Sequence, residues 1–370
     1  MKIVAARLHR VRLPLVHEFR TSSHGKSLLD HILVELTDAS GATGWGEIAS
    51  PSDPYYAPET VESCWHVGER YLVPAILGQE WDHPEQLPQL WAKVRGNQFA
   101  KSGLDTAGWV LWATINGVPL AEALGGTRSE VVAGVSLGIE PTIDDLLAEV
   151  DRHLAAGYPR VKLKIAPGWD VEPVRAVRAA HPDLDLHVDA NGIYAANQWE
   201  DLEALDEFGL TMIEQPFAPR DLLAHAHLQQ DIETPICLDE SIETVEDLET
   251  ALSLGALRVL NIKVSRMGGL TAAREAHDRA HAAGIPVWCG GMHEFGIGRA
   301  ANIALSSLPG FTLPSDVSAS AKYYAQDVIT PPVVATQGVV QVPTAPGLGH
   351  EVDTAFIAAN TIATSELKSS

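Results

Sequence analysis

Val161-Lys-Leu-Lys-Ile165, followed at a nearly fixed step by Leu184-Asp-Leu-His-Val-Asp189, Met212-Ile-Glu214, Ile236-Cys-Leu-Asp239 and Val259-Leu-Asn-Ile-Lys263, decides the fold. Each is a short apolar run with a charged residue at or near its end. Those residues, Lys164, Asp189, Glu214, Asp239 and Lys263, stand 25, 25, 25 and 24 residues apart. The interval is that of a strand-helix unit. A charge at the end of a buried strand is costly unless it is paired or used. Five in register therefore set a lysine, three carboxylates and a second lysine around one mouth, as at the C-terminal face of a parallel barrel.

Working outward, the rhythm of strand, helix, strand gives eight candidate strands at 132–138, 161–165, 184–190, 211–215, 235–239, 257–264, 285–290 and 311–313. Amphipathic helices lie between them; Val245, Leu248 and Leu252 share a face that Gly255 brings to a stop. An open doubly wound sheet alternates in the same way, but functional residues at consecutive strand ends around a ring select the barrel. Residues 1–126 form a unit of their own. They read as a meander of strands near the start, at 31–36 and at 43–47, then a helical stretch in which Trp109, Leu111, Trp112 and Ile115 are spaced for burial. The expected organisation is an α+β unit over 1–126, the barrel over 127–330, and a Pro/Gly/Val-rich segment over 331–370 that returns to the first unit.

The chain's 370 residues exceed the usual single-domain size, in keeping with a barrel plus an added domain. Its 26 basic and 48 acidic residues give a formal charge of -22, which opposes nucleic acid and anionic membranes. An anionic substrate then needs local positive charge. Cys64, Cys237 and Cys289 are far apart and form no Cys-x-x-Cys pair, so they read as free buried thiols of a cytoplasmic protein. Charge interrupts the N-terminus too early for a signal peptide, and no uncharged stretch is long enough to span a membrane.

Asp189, Glu214 and Asp239 at successive strand ends offer oxygen ligands only, which select a hard cation: Mg²⁺ first, with Mn²⁺ or another divalent ion able to substitute. Read singly, Asp189 and Asp239 could instead cap the helices that follow them. Lys162 and Lys164 face one side of a strand, so each disfavours the other's charge, and burial adds to this; both effects lower a lysine pKa. Lys263 lies four units round the ring from Lys164. Two opposed acid/base groups beside a cation suit removal of a proton next to a carboxylate.

At these residues the chain resembles the enolase superfamily, muconate-lactonizing subgroup. The matching residues are Lys162-Leu-Lys164, Asp189-Ala-Asn191, Glu214-Gln-Pro216, Asp239-Glu-Ser241 and Lys263. Further runs, Lys164-Ile-Ala-Pro-Gly-Trp-Asp-Val-Glu-Pro-Val-Arg175 and Pro286-Val-Trp-Cys-Gly-Gly-Met292, are similar to the o-succinylbenzoate synthase / N-succinylamino acid racemase family. The resemblance implies an α/β fold, a modified TIM barrel (β/α)₇β under a capping domain built from both termini. It implies Mg²⁺ held by Asp189, Glu214 and Asp239, acid/base work by Lys164 and Lys263 through an enediolate, and dehydration in menaquinone synthesis, racemisation, or both. A lysine base beside Mg²⁺ is a general property of enolase-superfamily sites and comes to this chain through the resemblance.

By the same resemblance Arg266 tunes Lys263, and Ser136, Asn191 and Glu240 fall at substrate or neighbouring positions. Phe19 and Tyr55, the latter in the 50–56 loop, belong to a lid. Gly291, Met292, Asp316 and Ser318 line the last strands. His293 and Phe295 are larger and more polar or aromatic than the resemblance implies beside the family's acyl group, and leave the substrate open. A small-molecule carboxylate substrate and a homo-oligomer are expected, with no nucleic-acid or membrane partner. The alternatives are a dipeptide epimerase or cycloisomerase of the same superfamily and, more remotely, a Schiff-base aldolase using Lys164 or Lys263. Gly134-Val-Ser136-Leu-Gly138 mimics a nucleophile elbow, but no helix starts directly after the serine.

Overall fold

The structure, a computed structural model, describes residues 1–17, 27–197 and 199–369, with the backbone alone of 18–20 and 25–26. Phe19 thus lies outside the residues whose side chains are described. Strands β1 (Ile3–Arg20), β2 (Gly25–Asp38) and β3 (Thr43–Ile48) form the expected antiparallel meander. Helices α1 (Val61–Val67), α2 (Val73–Ile76), α3 (Leu87–Leu90), α4 (Gln98–Asn116) and α5 (Leu120–Leu124) follow. One face of the sheet packs Ile3, Leu8, Ile32, Val34 and Ile48 against Leu104, Ala107 and Leu111 of α4. Val11, Leu33 and Trp45 join the barrel core instead. The close approach of α4 explains the Gly44-Trp-Gly46 spelling of β3: a Cβ at Gly46 would stand 2.0 Å from the Gly103 carbonyl oxygen. Of the four residues spaced for burial in α4, Ile115 is exposed.

The second module is the barrel. Its strands are β5 (Val135–Leu137), β6 (Arg160–Lys164), β7 (Asp185–Asp189), β8 (Ile213–Glu214), β9 (Ile236–Leu238), β10 (Val259–Ile262) and β11 (Val287–Cys289), all parallel and hydrogen-bonded in sequence order. Parallel strands covered on both sides read as continuous apolar runs, as these do. Between and after them run α6 (Ile143–Ala155), α7 (Val171–Ala180), α8 (Trp199–Glu203), α9 (Leu222–Asp231), α10 (Val245–Leu254), α11 (Leu270–Ala282) and α12 (Gly296–Ser306). Helix α10 has the predicted stop, Gly255 at φ 66°, and starts with a reciprocal capping box between Thr244 and Asp247.

Two of the eight expected strands are corrected. The stretch 132–138 divides into β4 (Glu130–Val132), which leaves the barrel to pair with the later strand β13 (Val339–Gln341), and β5, which stays in it. The stretch 311–313 is not a regular strand. It makes an isolated bridge, Val287 with Phe311, and the ring is completed just beyond it. There the Asp316 amide donates to Cys289 and the Gly134 amide donates to Ser315, so this segment bonds both edges of the seven-stranded sheet.

The last residues form β12 (Ile329–Thr330), β13 (Val339–Gln341), β14 (Glu351–Val352), α13 (Thr354–Asn360) and β15 (Thr361–Lys368). Strand β15 pairs antiparallel with β1, giving the first module a four-stranded sheet of order β15-β1-β2-β3. Cys64, Cys237 and Cys289 are free and buried. Among the described residues no helix is long and apolar enough to cross a membrane.

Two carboxylates of the first module serve as caps for barrel helices. Glu47 of β3 accepts the amides of Phe295 and Gly298 at the start of α12, at 2.8 and 2.7 Å. Asp105 of α4 accepts the Thr271 amide at 2.9 Å and the Thr271 hydroxyl at 2.7 Å at the start of α11. An acidic group at a helix N-terminus is favourable on dipole grounds. Asp105 is nevertheless fully buried, and burial outweighs these bonds and pushes its pKa up to about 7. The folded state therefore binds a proton that the unfolded chain releases near pH 4, so this group's contribution to stability is lost as pH rises from about 4 to about 7. Denaturant unfolding at pH 5.5 and pH 8 should show wild type losing about 2 kcal/mol more than Asp105→Asn over that interval. An equal pH response in both proteins would disprove the titration.

Candidate active site

Strand register brings the predicted charges together. Ser136, Lys162 and His187 lie level on β5, β6 and β7, and one layer higher Lys164 lies level with Asp189, and Asp189 with Glu214. Lys164 stands on β6 and Lys263 follows β10, with β7, β8 and β9 between them in the sheet. The lysines thus approach the carboxylates from opposite sides.

Each carboxylate is buried against cations. Asp189 receives Lys164 Nζ at 2.5 Å and Lys162 Nζ at 3.3 Å. Glu214 receives Lys162 Nζ at 3.1 Å and the Asn261 amide at 2.7 Å. Asp239 receives Lys263 Nζ at 2.8 Å and also the Arg266 guanidinium. Arg266 further donates to the carbonyls of Ile242 and Asn261, and so ties the end of β9 to the end of β10.

The electrostatics differ from the like-charge expectation. Burial alone would lower Lys162, yet Glu214, Asp316 and Asp189 hold it well above the ordinary lysine value. Burial also opposes the charge on Lys263, but Asp239 outweighs it, and Arg266 only partly offsets the rise. The carboxylates carry the complementary strain. Burial and the charge of Asp189 push Glu214 up to about 8, and burial and Asp239 push Glu240 up to about 7. Asp239 is driven the other way: although burial would raise it, Arg266 and Lys263 hold it far below the carboxylate range.

Above this layer lies a cavity of about 340 Å³, lined from the barrel by Ser136, Lys162, Lys164, Asp189, Asn191, Glu240, Lys263, Gly291, Met292, His293 and Asp316. Tyr55 and Tyr56 of the 50–56 loop close it from the first module. Asn191 accepts from Lys164, donates to Glu240 at 2.9 Å, and adopts φ 47°, a strained setting for a residue with a side chain. Ser136 donates to Asp316 at 3.0 Å, and Arg160 pairs with the other oxygen of Asp316 at 2.9 Å. His293 also has positive φ, 60°, and its ring lies 5.1 Å from that of Tyr323. Ser318 is set back from the cavity: its carbonyl accepts from Arg299, behind Tyr323. Arg266 is likewise beneath the wall, joined to it through Asp239.

The sequence alone does not single out several residues in this arrangement, although Gln215 lies within Glu214-Gln-Pro216 and Tyr56 within the 50–56 loop. Tyr56 accepts a hydrogen bond from Lys263 at 2.7 Å and donates to Asp239 at 3.3 Å, whereas Tyr55 beside it points to the mouth and is 74% exposed. Gln215, with φ 40°, accepts the amides of Asp239 and Ser241 at 3.0 and 3.1 Å and so aligns β9 with β8. His31 and Glu47 are joined at 2.6 Å, and His31 reaches the cavity from β2.

Asn261 is fixed by the Gly290 amide, which donates to its side-chain oxygen at 2.8 Å. A Cβ at position 290 would meet that same oxygen at 2.3 Å. Gly290→Ala should therefore displace Asn261 from Glu214, with a stability loss of about 1–3 kcal/mol and reduced turnover. Differential scanning calorimetry and a steady-state assay would test this, and an unperturbed Tm would argue against it.

Among the described residues no three His, Cys, Asp or Glu side chains are gathered as a ready metal cage. Asp189, Glu214 and Asp239 are instead turned toward ammonium and guanidinium groups. The donor chemistry fits a hard divalent cation all the same: oxygen ligands only, with Glu214 pushed toward protonation by burial and then by Asp189 and Asp239, a stress that added positive charge would relieve.

Sequence comparison agrees with this architecture. Residues 3–125 match the model of the mandelate racemase / muconate lactonizing enzyme N-terminal domain, and residues 145–356 match the enolase C-terminal domain-like model. The chain is 49% identical over 346 residues to the o-succinylbenzoate synthase of Geobacillus kaustophilus, covering 94% of this chain and 92% of the relative. It is 47% identical over 352 residues to an N-succinylamino acid racemase of an Amycolatopsis species, covering 94% and 95%. A crystal structure of an enolase superfamily member from Listeria innocua superposes with a TM-score of 0.97 at 38% identity, covering 100% of this chain and 99% of that one. The chain belongs to the mandelate racemase / muconate lactonizing enzyme family, within the enolase superfamily.

Proposed function

We propose that this enzyme removes the proton α to a substrate carboxylate and forms an enediolate, acting as an o-succinylbenzoate synthase, an N-succinylamino acid racemase, or both. The observation that carries the reading is the pair of buried lysines set on opposite sides of one group of carboxylates. The relatives named for these two reactions are of nearly equal similarity, which supports both on one site.

Lys164 and Lys263 are assigned the proton transfers. Asn191 orients Lys164, and Tyr56 orients Lys263. In dehydration one lysine takes the α-proton and then delivers a proton to the departing hydroxyl, which leaves as water as the ring double bond forms, while the other, as an ammonium, stabilises the developing negative charge. In racemisation one lysine takes the proton and the opposite one returns it to the other face. Asp189, Glu214 and Asp239 would hold a divalent cation, Mg²⁺ in our proposal, whose charge lowers the cost of the enediolate's second negative charge. The 50–56 loop excludes water from above.

Proton NMR in D₂O with Mg²⁺ tests the proposal, with N-succinyl-L-phenylalanine in one sample and the cyclohexadiene precursor of o-succinylbenzoate in another. Loss of the α-proton signal, growth of aromatic product, or both are expected, and EDTA should abolish either. Silence in both samples from folded, Mg²⁺-supplemented protein would overturn the substrate assignment.

A further inference from the structure

A second cavity, of about 570 Å³, opens beside the first, and Ser136 and Tyr323 line both. It lies between α6, the residues that follow β5, and the single 3₁₀ turn Ser320–Lys322, with Leu15 and His17 of β1 over it. The Val16 amide donates to the Tyr323 carbonyl at 2.9 Å, which fixes this turn against the first module. Lys322 stands at the junction: its Nζ lies 3.5 Å from the Ser136 carbonyl oxygen and 5.4 Å from the centre of the Tyr323 ring.

The two proposed reactions share a chemical demand that the catalytic layer leaves unmet. A succinyl-bearing substrate is a dianion, with one carboxylate at the reacting carbon and another at the end of the succinyl tail. A chain of net charge -22 must supply that second carboxylate with a local cation. Every other lysine or arginine lining either cavity is already engaged. Lys162, Lys164 and Lys263 hold carboxylates, and Arg152 holds Glu149. Arg299 donates to the Ser318 and Glu294 carbonyls, at 2.8 Å each. Among the described residues Lys322 forms no ion pair: it has the long contact to Ser136 and the face of Tyr323, and its charge reaches Asp316 and His153 without direct contact. Glu140 and Glu149 also line the second cavity; Glu149 is bound to Arg152.

Building on the proton-abstraction reading above, we propose that the second cavity receives the free carboxylate of the substrate's succinyl tail, with the Lys322 ammonium as its counter-charge. The tail passes between Ser136 and Tyr323. Lys322 is then a specificity residue that acts on binding and lies away from the reacting carbon.

The test compares N-succinyl-L-phenylalanine with its terminal amide, N-succinamoyl-L-phenylalanine, which has the same shape and one charge fewer. Racemisation by wild type should favour the carboxylate by about tenfold in kcat/KM, the scale of one charge-assisted hydrogen bond. Lys322→Gln should bring the ratio to about one, mainly through KM, and Lys322→Glu should invert it. A Lys322→Gln protein that keeps the wild-type ratio overturns the proposal. Equilibrium binding of N-succinylglycine and N-succinamoylglycine by tryptophan fluorescence separates this result from failure of the reaction itself. If wild type turns over neither phenylalanine derivative but binds the succinyl form more tightly, and loses that preference in Lys322→Gln, the reaction assignment falls and the subsite stands. Equal binding of the two glycine derivatives by wild type removes the subsite, and circular dichroism of each variant verifies its fold.

Discussion

Lys263→Ala should lower racemisation by about 10³-fold while leaving measurable exchange of the α-proton from one enantiomer, and Lys164→Ala should do the same for the opposite enantiomer. The expectation follows from the placement of the two side chains. Lys164 approaches from β6 and Lys263 from the end of β10, with three strands between. Each can reach only one face of a carbon held between them. Removing one lysine therefore stops inversion, which needs both, but spares removal of the α-proton and its replacement by deuterium on the face the other still serves. Exchange in D₂O followed separately from the L and D substrates gives the answer. Loss of exchange from both enantiomers in both variants, with fold intact, would count against two independent bases.

The second large effect is structural. Asp239→Asn should cost about 3–5 kcal/mol of stability, because it leaves the buried Lys263 and Arg266 without their carboxylate. The melting temperature should fall by roughly 10 °C. Glu240→Gln, one residue along, supplies the contrast. Glu240 is also buried, but burial and Asp239 push its carboxyl up to about 7, and one of its oxygens has no hydrogen-bond partner among the described residues, so losing its charge removes no strong pairing. Urea unfolding at pH 8 should rank Asp239→Asn far below wild type and Glu240→Gln close to it. Similar losses in the two variants would mean that the Asp239 pairs contribute little.

The barrel was legible because its strands are buried on both faces and so stand out as apolar runs, and because a charged residue marks the end of five consecutive ones. The same reasoning misread the two ends of the ring, where local sequence does not decide the partner. Residues 130–132 are as suited to a strand as 135–137, but β13, about 200 residues later, claims the first and the barrel claims the second. Phe311 has strand character, yet the ring is completed at Ser315 and Asp316.

At the site, charged residues could be seen because burial of a charge is exceptional, whereas the residues that orient them could not. Tyr56 and Tyr55 are adjacent and chemically identical; only the path of their loop sends one to Lys263 and the other to the mouth. Gln215 and Asn261 are neutral amides whose importance lies in which amide or carboxylate they meet. The pKa direction of Lys162 was also beyond the sequence. A neighbouring lysine is visible two residues away, but the Glu214 and Asp316 that outweigh it come from positions far along the chain.

The pairing of β15 with β1 has a consequence for the order of assembly. During synthesis from the N-terminus β1 emerges early, while its outer neighbour, residues 361–368, comes some 340 residues later. Until then β1 is an edge strand, with a row of unpaired amides and carbonyls open to other chains. The barrel can be complete while the neighbouring sheet still lacks one strand. Final maturation is thus a strand addition by the last part of the chain, and nascent chains stalled shortly before residue 361 form the population in which intermolecular pairing at β1 competes with folding.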